Sequence, residues 1–299
     1  MALLIITTIL WAFSFSLIGE YLAGSVDSYF SVLMRVGLAG LVFLPFLRTR
    51  GQSPRTIVLY MLVGAMQLGI MYLLAFRAYL YLTVSEFLLF TVFTPLYITL
   101  IYDLLSGRKL RWGYLLSAAL AVLGAAIIRY DKVSDHFWTG LLLVQLSNLC
   151  FAIGMVGYKR LMEVRPMPQH NAFAWFYVGA FIVAVAAWFM LGNAQKLPTT
   201  TLQWSVLVWL GVVASGLGYF MWNYGATQVD AGTLGIMNNV HVPAGLLVNL
   251  AIWQEQPHWP SFISGALVIL ASLWVHRRWV APHSGQTADD RRRGSAQSE

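Results

Sequence analysis

Charge is scarce in this chain: only 10% of its 299 residues are Asp, Glu, Lys or Arg, against about 25% in soluble domains. Hydrophobic residues make up 59%, and a chain so apolar would associate in water through its exposed patches. A large aqueous enzyme is therefore excluded and a polytopic membrane protein expected. A single cysteine, Cys150, rules out an intrachain disulfide, and no Cys/His cluster has metal-ligand spacing, so no metal is expected. HExxH, GxSxG, the phosphate-cradling GxxxxGK and a Rossmann fingerprint are also absent. Neither an enzyme nor an ATP-driven pump is expected, and no cofactor. The formal charge of +7 does not point to nucleic acid, because the cations sit in short loops and the tail.

What is abundant is apolar sequence in long runs. Charged or Gly/Pro-rich joints divide it into ten spans of roughly 18 to 24 residues, the length a bilayer demands. They fall near 2–20, 28–47, 57–79, 83–105, 112–130, 138–159, 172–191, 204–224, 231–253 and 259–279. Trp112, Trp138, Trp204, Trp259 and Trp279 stand at span ends, where indoles favour the headgroup region. Alternation places fourteen of the nineteen Lys and Arg residues on the side holding both termini. Arg129, Lys132 and Lys196 fall on the other side, and Arg35 and Arg77 inside spans. Such a bias marks cytoplasmic loops, so both termini are expected inside. The apolar start followed by Ala23, Gly24 and Ser25 also has features of a cleavable signal, but the positive n-region is missing. Residues 281–299 read as a disordered cytoplasmic tail, with anionic lipid as its partner.

The stretch from Thr233 to Glu255 is long enough to cross a bilayer yet carries Asn238, Asn239, His241 and Pro243 at its middle. An ionisable group there costs about 2.5–3.5 kcal/mol on insertion scales, and Pro243 disturbs the hydrogen bond to the carbonyl of Asn239. Freed backbone groups at membrane depth are tolerated against protein or a wet cavity. A polar pathway is expected to pass this point.

An internal repeat gives that stretch a mate. Gly64, Gly69 and Tyr72 align with Gly211, Gly216 and Tyr219, and one residue further in offset Pro95 meets Pro243. RWGYLLSAALAVLGA from Arg111 then matches HWPSFISGALVILAS from His258, and WAFS from Trp11 matches FAIG from Phe151. The second copy starts after five spans, an odd number, so it must enter the membrane from the opposite side. Inverted repeats of this kind build many secondary transporters, with sites near the midplane between halves. The domains are read as 1–131, 136–280 and the tail 281–299.

Gly218, Tyr219, Trp222, Asn223, Tyr224, Pro243, Glu255 and Gly265 in order, with Trp11, Arg35 and Pro95 in the first half, resemble the EamA repeat of the drug/metabolite transporter superfamily over nearly the whole chain. The resemblance implies an all-α membrane protein of ten transmembrane helices, a bacterial inner-membrane location, and export or exchange of small metabolites. Arg108 stands where the first repeat is expected to carry Glu, which argues against a symmetric acidic pair and leaves Glu255 as a helix-end residue.

Candidate substrate contacts follow from polar and aromatic groups at membrane depth. In the ninth span Asn238, His241 and Gly245 share a face, with Asn249 one turn on and Asn239 near its edge. Its mate, the fourth span, offers Thr91, Thr94, Pro95 and Tyr97. Trp11, Gln67, Tyr72, Gln145, Asn148, Tyr219, Trp222 and Asn223 supply the aromatic wall and polar tips that small-molecule sites use. Each has a bland alternative as interhelical glue or packing. Glu86 and His241 are the candidate proton sites, Glu86 being otherwise an interfacial carboxylate or a partner of Arg77. Arg35 either counters a substrate carboxylate, fixes helix packing or pairs with Glu20. Near the two prolines, the polar Asn238, Asn239 and His241 have as their counterpart the mostly apolar stretch that holds Leu89, Phe90 and Phe93, which favours an amphipathic substrate. The function expected is secondary transport by alternating access, exporting amino acids, amines or carboxylates. An importer, a scaffold and a lipid-acting enzyme are the alternatives.

Overall fold

A computed structural model describes residues 2–105, 120, 123, 135–229, 234, 237–238, 244–245, 247–253, 259–260, 263–264, 267–268, 270–271 and 274. Among these described residues every regular element is helical, and seven helices are long and apolar enough to cross a membrane. We label them α1 (Ala2–Tyr21), α2 (Ser28–Phe43), α3 (Pro54–Ala78), α4 (Val84–Thr91 and Thr94–Leu105), α5 (Asp135–Val164), α6 (Gln169–Leu191) and α7 (Thr201–Thr227). They occupy the first to fourth and sixth to eighth expected spans. The fifth, ninth and tenth spans and the tail lie largely or wholly outside the described residues, as do Glu255, Gly265 and Arg108.

Local chemistry sets the helix ends. Asp27 caps α2 by accepting from the Phe30 amide at 2.9 Å, and Ser53 caps α3 with Pro54 at its first turn, where a missing N–H costs nothing. Thr83/Glu86 and Thr200/Gln203 form capping boxes at the starts of α4 and α7. The helix α5 runs further than its apolar run alone suggests. It continues past the expected end at Lys159 to Val164, and the Lys159 ammonium donates to the Ala226 and Val229 carbonyls at 3.2 and 2.9 Å, sealing the end of α7.

Two of the seven labelled helices depart from α geometry at related places. α3 contains a π-helical stretch Ala65–Ile70, and α7 one at Trp209–Leu217. Each lies just before a tyrosine, Tyr72 and Tyr219, buried in the interior.

α4 breaks at Pro95, whose ring cannot accommodate the carbonyl one turn back. The carbonyls released there are satisfied by side chains. Thr94 donates its hydroxyl to the Thr91 carbonyl at 2.7 Å, and the Phe90 carbonyl accepts from Asn148 at 2.9 Å and Gln145 at 3.2 Å. α4 is also the most enclosed of the seven, with 88% of its apolar window buried against 33–56% in the others.

Packing follows small residues rather than a hydrophobic drive, which lipid removes. α3 meets α6 backbone to backbone: a Cβ on Gly64 would fall 1.9 Å from the Phe176 carbonyl oxygen, and one on Gly179 1.9 Å from that of Met61. α2 lies between α6 and the π segment of α7, α5 packs on α3 and α4, and α1 on the last turns of α7. Leu41, Leu62, Ile182 and Phe189 point outward, as a lipid-facing surface requires.

Candidate substrate cavity

The helices line a partly open cavity with roughly 660 Å³ of empty space, open solvent at its mouth included. Each helix contributes a stripe. From α1 come Trp11, Ser14, Phe15 and Ile18, from α3 and its C-cap Met71, Tyr72, Ala75, Phe76 and Tyr79, from α4 Phe87, Thr91 and Thr94, and from α5 Ser147, Asn148 and Phe151. Arg35 of α2, Tyr219 of α7 and Asn238 complete the lining. Offsets of three, four and seven residues put such sets on one helix face.

Arg35 is the dominant electrostatic feature. It is 3% exposed in the interior of α2, and its Nε donates to the Ser215 hydroxyl at 2.6 Å. The Ser215 hydroxyl also bonds the Tyr72 hydroxyl at 2.9 Å, and Tyr177 donates to the Ser215 carbonyl at 2.7 Å. The Arg35 guanidinium carbon lies 4.2 Å from the centroid of the Tyr72 ring, within cation–π range. It pairs neither with Glu20 nor with any other acidic side chain among the described residues. Arg35 lines the cavity, and no described carboxylate matches its charge, a costly state for a buried ion.

Aromatic rings surround it. Trp11 sits 4.6 Å from Tyr219, 5.0 Å from Trp222 and 6.4 Å from Phe151, centroid to centroid, and its indole donates to the Ala214 carbonyl at 2.9 Å. Tyr72 meets Tyr219 edge-on at 5.8 Å.

The expected site residues divide. Trp11, Arg35, Tyr72, Thr94, Asn148, Tyr219 and Asn238 come together on the lining. Gln67 and Asn223 instead bond each other reciprocally, at 2.9 and 3.0 Å, joining α3 to α7. Trp222 is wholly buried behind the cavity, donating to the Met155 sulfur at 3.2 Å. Gln145 binds the Phe90 carbonyl and accepts from the Tyr97 hydroxyl at 3.1 Å. Glu86 caps its own helix, accepting from the Thr83 amide at 2.9 Å. Asn239, His241 and Pro243 lie outside the described residues, as does the side chain of Asn249. Ser14, Phe15, Ile18, Ala75, Phe76, Tyr79, Phe87 and Ser147 were not singled out from sequence. Extending the helical stripe through Trp11, Tyr72, Thr94 and Asn148 reaches most of them.

A bundle of long apolar helices around an amphipathic interior cavity defines a multi-pass membrane transporter. Residues 1–130 and 138–277 match the EamA-like transporter family, and the chain belongs to it. It is 83% identical, over the full length of both chains, to the biotin transporter of Escherichia coli K12. It is also 56% identical to the probable biotin transporter of Pseudomonas aeruginosa, covering 93% of this chain and 97% of that one. A crystal structure of a protein 17% identical superposes with a TM-score of 0.65 over 92% of this chain and 95% of the other, a likeness of fold. Family and relatives are transporters, and the chain is not an enzyme.

Proposed function

We propose that the chain is a secondary transporter of the bacterial inner membrane that carries biotin through the cavity beside Arg35. The observation that carries the reading is a buried guanidinium in an aromatic chamber, matched by no carboxylate among the described residues. Biotin pairs a carboxylate with an apolar bicyclic body, so one end neutralises the charge through charge-assisted hydrogen bonds and the other packs on rings. Amino-acid export fits less well, because an α-ammonium needs an anion and the described lining holds none. The names of the full-length relatives point the same way.

Movement is by alternating access of two inverted five-helix halves, with ten helices and both termini cytoplasmic. Two separate family matches, paired π segments before Tyr72 and Tyr219, and the crossed packing of α3 on α6 and α7 on α2 support this arrangement. The sequence carries no nucleotide-binding motif, so flux follows gradients and its direction is theirs. Labelled biotin measured into cells unable to synthesise it, and out of preloaded vesicles, tests the reading. Saturable biotin flux that depends on the chain is expected; folded protein with no biotin flux in either direction refutes it.

A further inference from the structure

The polar groups away from Arg35 share a hydrogen-bonding bias. Thr91 and Thr94 give their hydroxyl protons to the Leu88 and Thr91 carbonyls, both at 2.7 Å, and Ser147 gives its proton to the Met71 carbonyl at 3.1 Å. Asn148 directs its amide protons at the Phe90 carbonyl, 2.9 Å, and the Gln145 carbonyl oxygen, 3.5 Å. What these four side chains can still offer the cavity is acceptor oxygens. On the same cavity lining is Asn238, 1% exposed, whose Nδ2 has no hydrogen-bond partner. Further along, Gly245 lies against α4, since a Cβ there would sit 2.9 Å from Leu88. A buried amide donor left unpaired is costly enough to need explanation.

Acceptor oxygens on α4 and α5 together with the Asn238 amide donor suit a ligand group bearing N–H donors and a carbonyl acceptor. On the reading that the cargo is biotin, we propose that Thr91, Thr94, Ser147, Asn148 and Asn238 form the subsite for its cyclic urea. The two ring N–H groups donate to the α4–α5 oxygens, and the urea carbonyl accepts from the Asn238 amide. The carboxylate end is left for Arg35. This assigns substrate discrimination to a neutral, acceptor-rich subsite that a plain fatty carboxylate cannot satisfy.

The test is competition against labelled biotin uptake by cells producing the full chain. The monocyclic analogue that keeps urea and carboxylate should compete within about threefold of biotin. The cyclic carbonate analogue, in which ring oxygens replace both N–H groups without added bulk, should compete at least about tenfold more weakly, because acceptor then faces acceptor. Thr94→Val should weaken uptake of biotin severalfold while leaving the inhibition constant of the carbonate unchanged. A carbonate that competes as well as biotin overturns the urea subsite on the unaltered chain alone, whatever the variant does. Equal weakening of both ligands by Thr94→Val, in folded protein, also counts against it. Absence of any biotin uptake would instead remove the transport reading and this assignment with it.

Discussion

Two neighbouring regions use buried polar residues in opposite ways. At the seam between α3 and α7, Gln67 and Asn223 close on each other, and at the α4 break Gln145 and Asn148 satisfy a freed carbonyl. Around the cavity, Arg35 and the Asn238 amide keep hydrogen-bonding capacity that the described protein does not consume. A closed polar circuit holds helices together, whereas an open one waits for a ligand. Polar residues at membrane depth therefore divide by whether their partners are already present.

That contrast can be broken or sharpened by substitution. Arg35→Ala should lower biotin transport by two orders of magnitude or more, the scale of losing a buried charge partner, with folded yield retained because Ser215 and Tyr72 keep their mutual bond; uptake normalised to membrane-embedded protein checks this. Gly64→Ala should act on the fold instead, since the new Cβ meets the Phe176 backbone at 1.9 Å, while Gly216→Ala, whose nearest neighbour is at 3.3 Å, should be far milder. Monodisperse yield in detergent separates them. Gln67→Leu should cost about 1–3 kcal/mol by stranding Asn223, and adding Asn223→Leu should recover much of it, as thermal unfolding of the three variants will show. The smallest effect belongs to Glu86→Gln. A glutamine sustains the capping box, so uptake and its pH profile should stay close to the unaltered chain, whereas abolished uptake would return Glu86 to the proton path.

Much of the scaffold could be read from residue order. Runs of apolar sequence located α1 to α7 to within a few residues, with the largest departure at α5, which runs past Lys159 to Val164 where the Lys159 ammonium finds carbonyls at the end of α7. Arg35, Trp11, Tyr72 and Tyr219 were legible as site candidates because polar or aromatic groups at membrane depth demand a reason. Gln67, Gln145 and Asn223 were equally conspicuous for the same reason, yet their side chains bond each other or a broken helix. Sequence shows that an amide is buried, but its partner comes from another helix and is visible only after packing. Phe15, Phe76 and Phe87 were hidden for the converse cause: a phenylalanine facing a cavity is chemically identical to one facing lipid.

The central claim, that Arg35 receives a substrate carboxylate, is tested most directly by equilibrium binding of labelled biotin and of its uncharged amide to the purified chain and to Arg35→Gln. Biotin should bind the unaltered chain at least about tenfold more tightly than the amide, the worth of one charge-assisted contact, and the ratio should collapse toward one in Arg35→Gln. A ratio that survives the substitution would contradict the account.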